Sequence, residues 1–171
     1  MTDTGRQLRA LYFTRFAGSF GFVALLTLLP TFINELGAEG FVLGLFANGL
    51  TLAQAVGIVP ISWAGDRYDR RTVLLGGLGL AVFVYLGFAV VETSWQFIAV
   101  RAVQGIAATA TGLIALALVG DLARESERAN TIGTADAWRF AAAIGGAFTF
   151  TGVFAFLGIL SDSHGRNALA A

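Results

Sequence analysis

Cysteine and lysine are both absent from this chain, which has a single histidine, a single methionine and two prolines. Without cysteine there are no disulfides, no thiolate metal sites and no cysteine nucleophile. The one histidine, His164, lies in a polar C-terminal stretch, so little imidazole chemistry is available. Charge is also scarce: 13% of residues are charged, about half the fraction usual in a soluble domain. Eleven basic and eleven acidic side chains cancel, so no bulk field recruits nucleic acid. Every basic residue is Arg, which reads as coding bias in a GC-rich genome more than as chemistry. No His or carboxylate cluster has metal-ligand spacing, and there is neither a Ser/His/Asp set nor a phosphate-binding Gly-x-x-x-x-Gly-Lys loop. An enzyme is therefore not expected, and neither is a cofactor or metal.

Hydrophobic residues make up 56% of the chain, and mean hydropathy is +0.74. Five of the six residues in Asp66-Arg67-Tyr68-Asp69-Arg70-Arg71 are charged, and the stretches on either side, 41–65 and 72–91, carry no charge. A hydrocarbon core of about 30 Å is crossed by about 20 helical residues, and both stretches reach that length. Lipid cannot satisfy backbone polar groups, so each stretch must be helical. Counting apolar runs predicts five spans, near 11–33, 41–63, 72–91, 94–120 and 132–157. The fold class is thus an all-α integral membrane bundle over 11–160, preceded by a short N-terminus (1–10) and followed by a polar, patternless tail (161–171) with no sixth span. The connections at 34–40 and 92–94 hold Glu and no Arg, whereas Arg6, Arg9, Arg67, Arg70, Arg71, Arg124 and Arg128 share the other side. The positive-inside rule then predicts a cytoplasmic N-terminus and, with an odd number of spans, an external C-terminus. The expected location is a cell (plasma) membrane, of prokaryotic type, with the lipid bilayer as first partner.

Glycine recurs within the spans, where it lets helices approach closely. Ala137, Ala141, Gly145 and Thr149 form one small-residue ridge, and Gly105, Ala108, Gly112 and Ala115 another; both predict tight helix contacts. Three Arg fall inside apolar spans, and an Arg at a helix centre costs roughly 2.5 to 3.5 kcal/mol. Arg15 is expected to snorkel to the headgroups. Arg139 follows Asp136 by three residues and is expected to pair with it. Arg101, Gln104, Ala108 and Thr111 share one face of the fourth helix as a polar stripe. Arg101 then either lines a bundle interior or aqueous cavity, or snorkels outward, and its spacing favours neither.

The segment Pro60-Ile61-Ser62-Trp63-Ala64-Gly65-Asp66-Arg67-Tyr68-Asp69-Arg70-Arg71 resembles the loop joining the second and third helices of major facilitator superfamily transporters, of the form Gly-x-x-x-Asp-Arg-x-Gly-Arg-Arg. Arg101-x-x-Gln104-Gly105 resembles the fourth-helix motif of the same family, and Asp121 with Glu127 and Arg128 resembles its acid-rich continuation. The resemblance runs to about Gly152. Ser62 and Asp69 stand where the loop motif usually has Gly, which predicts a looser turn. On the fifth helix, the antiporter-associated Gly-x-x-x-Gly-Pro-x-x-Gly-Gly pattern falls on Ala137, Ala141, Ala142, Gly145 and Gly146, and only the last two match.

The resemblance implies secondary transport of a small molecule or ion by alternating access, with this chain forming most of one half of the transporter. It implies a cytoplasmic gating loop of Asp66, Arg67, Arg70, Arg71 and Asp121, in which Asp66 caps a helix of the second half while Arg70 and Arg71 pair with Asp121. Arg101, Gln104, Gly105, Asn48 and Gln54 are the candidate transport path, and Ala137, Ala141, Gly145 and Gly146 the candidate packing face. Substrate, direction and proton coupling stay open. The chain is expected to be a truncated product lacking a C-terminal half, or to self-associate. The alternative is a non-transporting membrane scaffold or partner subunit that assembles through its small-residue faces.

Overall fold

The computed structural model describes the backbone of residues 3–168 and side chains from Thr4 to Val153 together with Phe156. The helices are α1 (Asp3–Leu36), α2 (Gly40–Arg67), α3 (Arg70–Phe88), α4 (Ser94–Leu122) and α5 (Arg128–Ala168), with a 3-10 turn at Glu125–Glu127. Among the described residues there are no strands. The segments Thr4–Leu36, Gly40–Arg67, Arg70–Phe88 and Ser94–Leu122 are long and apolar enough to cross a membrane. α5 has the length, 41 residues, but carries Asp136 and Arg139 within its apolar part. Two helices overrun their expected ends. α1 begins at Asp3, and α5 continues through Ala168, so most of the stretch 161–171 expected as a patternless tail is helical. Hydropathy marks the lipid-depth part of a helix, whereas the helix itself continues until something stops it, and no proline interrupts 158–168. Residues 169–171 lie outside the described range.

Turn chemistry explains where the other helices stop. Gly37 adopts φ +60, and the Ala38 amide donates to the Ile33 carbonyl at 3.1 Å, closing α1 with a left-handed cap. Ser94 Oγ then donates to the Leu36 carbonyl at 3.1 Å, tying the end of α1 to the start of α4. α4 opens with a reciprocal cap. Thr93 Oγ1 accepts from the Gln96 amide at 3.3 Å, and Gln96 Oε1 accepts from the amides of Thr93 at 3.2 Å and Glu92 at 2.8 Å.

α4 is the central helix and packs on α2, α3, α1 and α5, while α1 lies mainly against α5. Two apolar clusters hold the bundle. One, at the Arg-rich end, joins Leu11, Leu74, Ile114, Ala115, Val119 and Ala135. The other gathers Leu25, Phe46, Val84, Phe88 and Phe97, with Phe46 stacked on Phe97 at 4.2 Å between ring centroids. The outer surface remains apolar, with Phe41, Val56 and Phe148 each 77% exposed, as expected of side chains that meet lipid rather than water.

Glycine permits the closest helix contact. A Cβ on Gly105 would lie 2.5 Å from the Leu50 carbonyl oxygen and 2.8 Å from Ala53 Cβ, so α2 and α4 touch backbone to backbone there. The α5 ridge behaves differently. Ala137, Ala141 and Thr149 are exposed and Gly145 has open space around it, whereas Ala135, Ala142 and Gly146 are buried, with Gly146 against Phe20 and Val23 of α1. Most of the ridge expected to pack therefore faces away from this bundle, because α5 is rotated to turn Asp136 toward Arg15 of α1. Gly105→Ala should destabilise the protein by about 1–3 kcal/mol through overpacking against backbone that cannot move aside. Gly112→Ala, with no atom within 4 Å of the added Cβ, should be close to neutral. Melting temperatures in detergent decide between them, and equal values for the two variants would refute the close-approach account.

Candidate functional site

At the Arg-rich end, α2 passes into α3 through Tyr68 and Asp69 alone. Asp69 caps α3: its carboxylate accepts from the Thr72 amide and from Thr72 Oγ1, both at 3.1 Å. Its φ of −59 is open to any residue, so this turn does not require the glycine usual in the motif, and the expected loosening is absent. An Asp at the N-cap is a helix-start signal in its own right, whatever the glycine pattern of the motif.

Arg70 folds back across this turn. Its Nη1 donates to Asp121 Oδ2 at 2.6 Å, Nε to the Gly65 carbonyl at 3.4 Å, and Nη2 stands 3.8 Å from Asp66 Oδ1. One side chain thus links the ends of α2, α3 and α4. Its partner Asp121 is 54% exposed, so solvent screens the pair and limits it to about 1 kcal/mol or less. Of the two Arg expected to reach Asp121, only Arg70 does. Arg71 lies about 100° further round the helix and is exposed. Arg67 sits 5.8 Å over the Trp63 ring, and Asp66 is left 77% exposed. Arg128, which sequence reasoning placed only in the loop, donates through Nε to the Gly120 carbonyl at 3.1 Å and closes the end of α4.

Deeper in the bundle, Arg101 and Gln104 are 2% and 5% exposed, and Arg101 Nη1 donates to Gln104 Oε1 at 2.9 Å. Arg101 therefore turns inward rather than snorkelling. Its charge lies 6.0 Å from the Phe97 ring, its Nε is buried without a hydrogen-bond partner, and the Tyr85 hydroxyl faces both Arg101 and Gln104. Tyr85 also lines an apolar groove of about 350 Å³ with Phe20, Leu25, Leu28, Phe88 and Phe150. The other path candidates are less concentrated. Gly105 and Gln54 meet where α2 crosses α4, but Asn48 is exposed and donates to its own helix at Gly44. Thr109 is buried and missing from the expected stripe. Its Oγ1 donates to the Gly105 carbonyl at 3.0 Å and approaches the Gln54 carbonyl at 3.5 Å, bridging α4 and α2.

Arg15 also departs from expectation. Its side chain is only 8% exposed; Nη1 donates to the Gly112 carbonyl at 3.1 Å and Nη2 bonds Asp136 Oδ1. Asp136 is therefore shared, with Arg139 Nε at 3.5 Å from the same oxygen. An Arg that finds a carboxylate on a neighbouring helix has no reason to reach for the headgroups. Among the described residues no group of three or more His, Cys, Asp or Glu is placed to hold a metal.

A bundle of apolar helices with a charged turn after the second and a buried Arg-Gln pair on the fourth calls for comparison with known proteins. The profile of the Major Facilitator Superfamily matches residues 11–161. The chain belongs to that superfamily. It is 32% identical over 109 residues to the inner membrane transport protein YajR of Escherichia coli, an alignment covering 63% of this chain and 24% of that protein. It is 30% identical over 118 residues to the class B tetracycline resistance protein of Escherichia coli, covering 67% of this chain and 29% of the relative. With protein spinster homolog 3 of Danio rerio it shares 35% identity over 74 residues, 42% of this chain and 15% of that protein. The chain spans less than a third of the length of these curated relatives. In this superfamily member, the loop motif and the fourth-helix motif are joined through α4, which carries Arg101 and Gln104 in its first half and Asp121 at its end.

Asp136→Asn should lower stability by about 2–3 kcal/mol, because it strands the Arg15 cation in the bundle; the figure falls below the roughly 3–5 kcal/mol of a fully buried pair since Asp136 is partly open. The double change Arg15→Gln with Asp136→Asn should recover part of that loss. A double-mutant cycle on melting in detergent measures the coupling, and strictly additive effects would refute the pairing.

Proposed function

We infer that this chain is part of a secondary transporter, multi-pass in a cell membrane, that moves a small solute by alternating between two arrangements of its helices. Membership of a family of membrane transport proteins supports this reading, which makes the protein a carrier and not an enzyme. α5 completes a fifth crossing, and the Arg-rich end, bearing the N-terminus, faces the cytoplasm.

The observation that carries the mechanism is the Arg70–Asp121 pair at 2.6 Å. It ties the turn after α2 to the end of α4 with an interaction strong enough to bias one state and weak enough to break. Asp66, exposed and only loosely held by Arg70, is free to accept from the N-terminus of a helix outside this chain, a contact stabilising by roughly 0.3–1 kcal/mol. Latch strengths of this size shift a two-state balance without locking it. Solute passes beside α4, where Arg101 and Gln104 offer fixed donors and an acceptor at membrane depth.

The test is transport in proteoliposomes by the complete assembly in which this chain works. Asp66→Asn and Arg101→Ala should each reduce transport to background while leaving membrane insertion and yield unchanged. Wild-type rates in both variants would sink the mechanism.

A further inference from the structure

The three side chains Arg15, Asp136 and Arg139 form a cluster that neither the loop latch nor the Arg101 stripe uses. Its charges do not balance, since two guanidinium groups share one carboxylate, and a single oxygen of it, Oδ1, serves both. Arg15 holds the stronger contact and adds the Gly112 carbonyl, so it is neutralised and fixed. Arg139 is the surplus cation. It lies on the face of α5 that also carries the buried Ala135, Ala142 and Gly146, beside the Asp136 carboxylate that reaches α1.

Its placement is that of a ligand-binding group. Arg139 Nε makes no hydrogen bond and only stands 3.5 Å from the Asp136 oxygen that Arg15 already holds, and Arg15 Nε, on a side chain only 8% exposed, is buried without a hydrogen-bond partner. The Arg139 side chain as a whole stays 44% exposed, so the rest of the guanidinium fork is accessible. The Phe140 ring, 4.3 Å from Arg139 Cζ, braces the fork from one face. A net positive charge below the membrane surface, with free donors in a planar fork, matches a phosphate or carboxylate group, which accepts two parallel N–H bonds. The helical rise places Asp136 about 12 Å along α5 from its start, within reach of an anion entering from that end.

We propose that Arg139, supported by the Arg15–Asp136 pair, is a binding site for a phosphate-type oxyanion, either a soluble anion or the headgroup of an anionic lipid. The site is separate from the Arg101–Gln104 stripe and does not depend on the transport reading.

The test uses the full chain, delipidated in maltoside micelles that contain no phosphate, with melting followed by tryptophan fluorescence; Trp138 adjoins the site and meets Phe16 at 6.1 Å. Two probes are added separately: inorganic phosphate exchanged for chloride at constant ionic strength, and phosphatidylglycerol. A rise in melting temperature of about 2–4 °C with phosphate assigns a soluble anion, and a rise with phosphatidylglycerol alone assigns a lipid headgroup. In either case Arg139→Gln should abolish the rise, and the exposed Arg124→Gln should keep it. No rise with either probe, a rise that survives Arg139→Gln, or an equal loss in Arg124→Gln would each overturn the proposal. Should Arg139→Gln fail to fold, Arg139→Lys keeps the charge and loses the fork. It should bind the effective probe about threefold or more weakly, and unchanged affinity would count against the site.

Discussion

At Gly105 the backbones of α2 and α4 meet with no side chain between them, and the rest of the bundle is arranged around that contact. A helix held so closely on one side becomes the axis against which α3, α1 and α5 settle. Thr109 reinforces the crossing by reaching from α4 toward a carbonyl of α2. In lipid there is no water-driven force to collect apolar helices, so van der Waals fit and a few hydrogen bonds decide which faces meet. The small residues of α4 therefore matter more to the architecture than the larger apolar side chains, most of which point outward.

With α4 at the centre, the polar residues fall into layers. The aromatic cluster around Phe97 closes one end and the aliphatic cluster around Ile114 and Val119 the other. Arg101 and Gln104 lie just inside the aromatic end, and Arg15 meets α4 at Gly112, just inside the aliphatic end. The three Arg side chains within the helices are treated differently. Arg15 is paired with a carboxylate, Arg101 has one neutral partner and an aromatic face, and Arg139 shares what Arg15 leaves. A guanidinium neutralised by a carboxylate is a structural strut, whereas one that keeps surplus charge and accessible donors is available for a ligand.

Much of this was legible in the sequence, for reasons that are one-dimensional. Hydropathy runs and charged turns lie in order along the chain, so the helices and the loop motif at Asp66 to Arg71 could be placed before any coordinates, whereas the spacing of Arg101 and Gln104 left open whether Arg101 turns inward. What could not be read is how distant segments rotate toward one another. Arg15 and Asp136 are 121 residues apart, and nothing in either neighbourhood announces the other. The α5 ridge was misjudged for the same reason: Ala137, Ala141 and Gly145 have the right spacing for packing, but a helix wheel has no fixed zero, and the need to turn Asp136 toward Arg15 set the rotation. Asp69 shows a different limit, since a family pattern can draw attention to a missing glycine and away from the cap that replaces it.

The two ends of the bundle are fastened by different chemistry. At the Glu-bearing end, α1 is closed by Gly37 and joined to α4 by the Ser94 hydroxyl, beside stacked Phe rings. None of these groups carries a charge. At the opposite end, Arg70 and Asp121 do the fastening across a partly wet gap. Dissolved ions screen the second kind of joint and leave the first untouched. The salt content of the solution on the Arg-rich side therefore acts as a one-sided dial, loosening one mouth of the bundle while the other stays clasped.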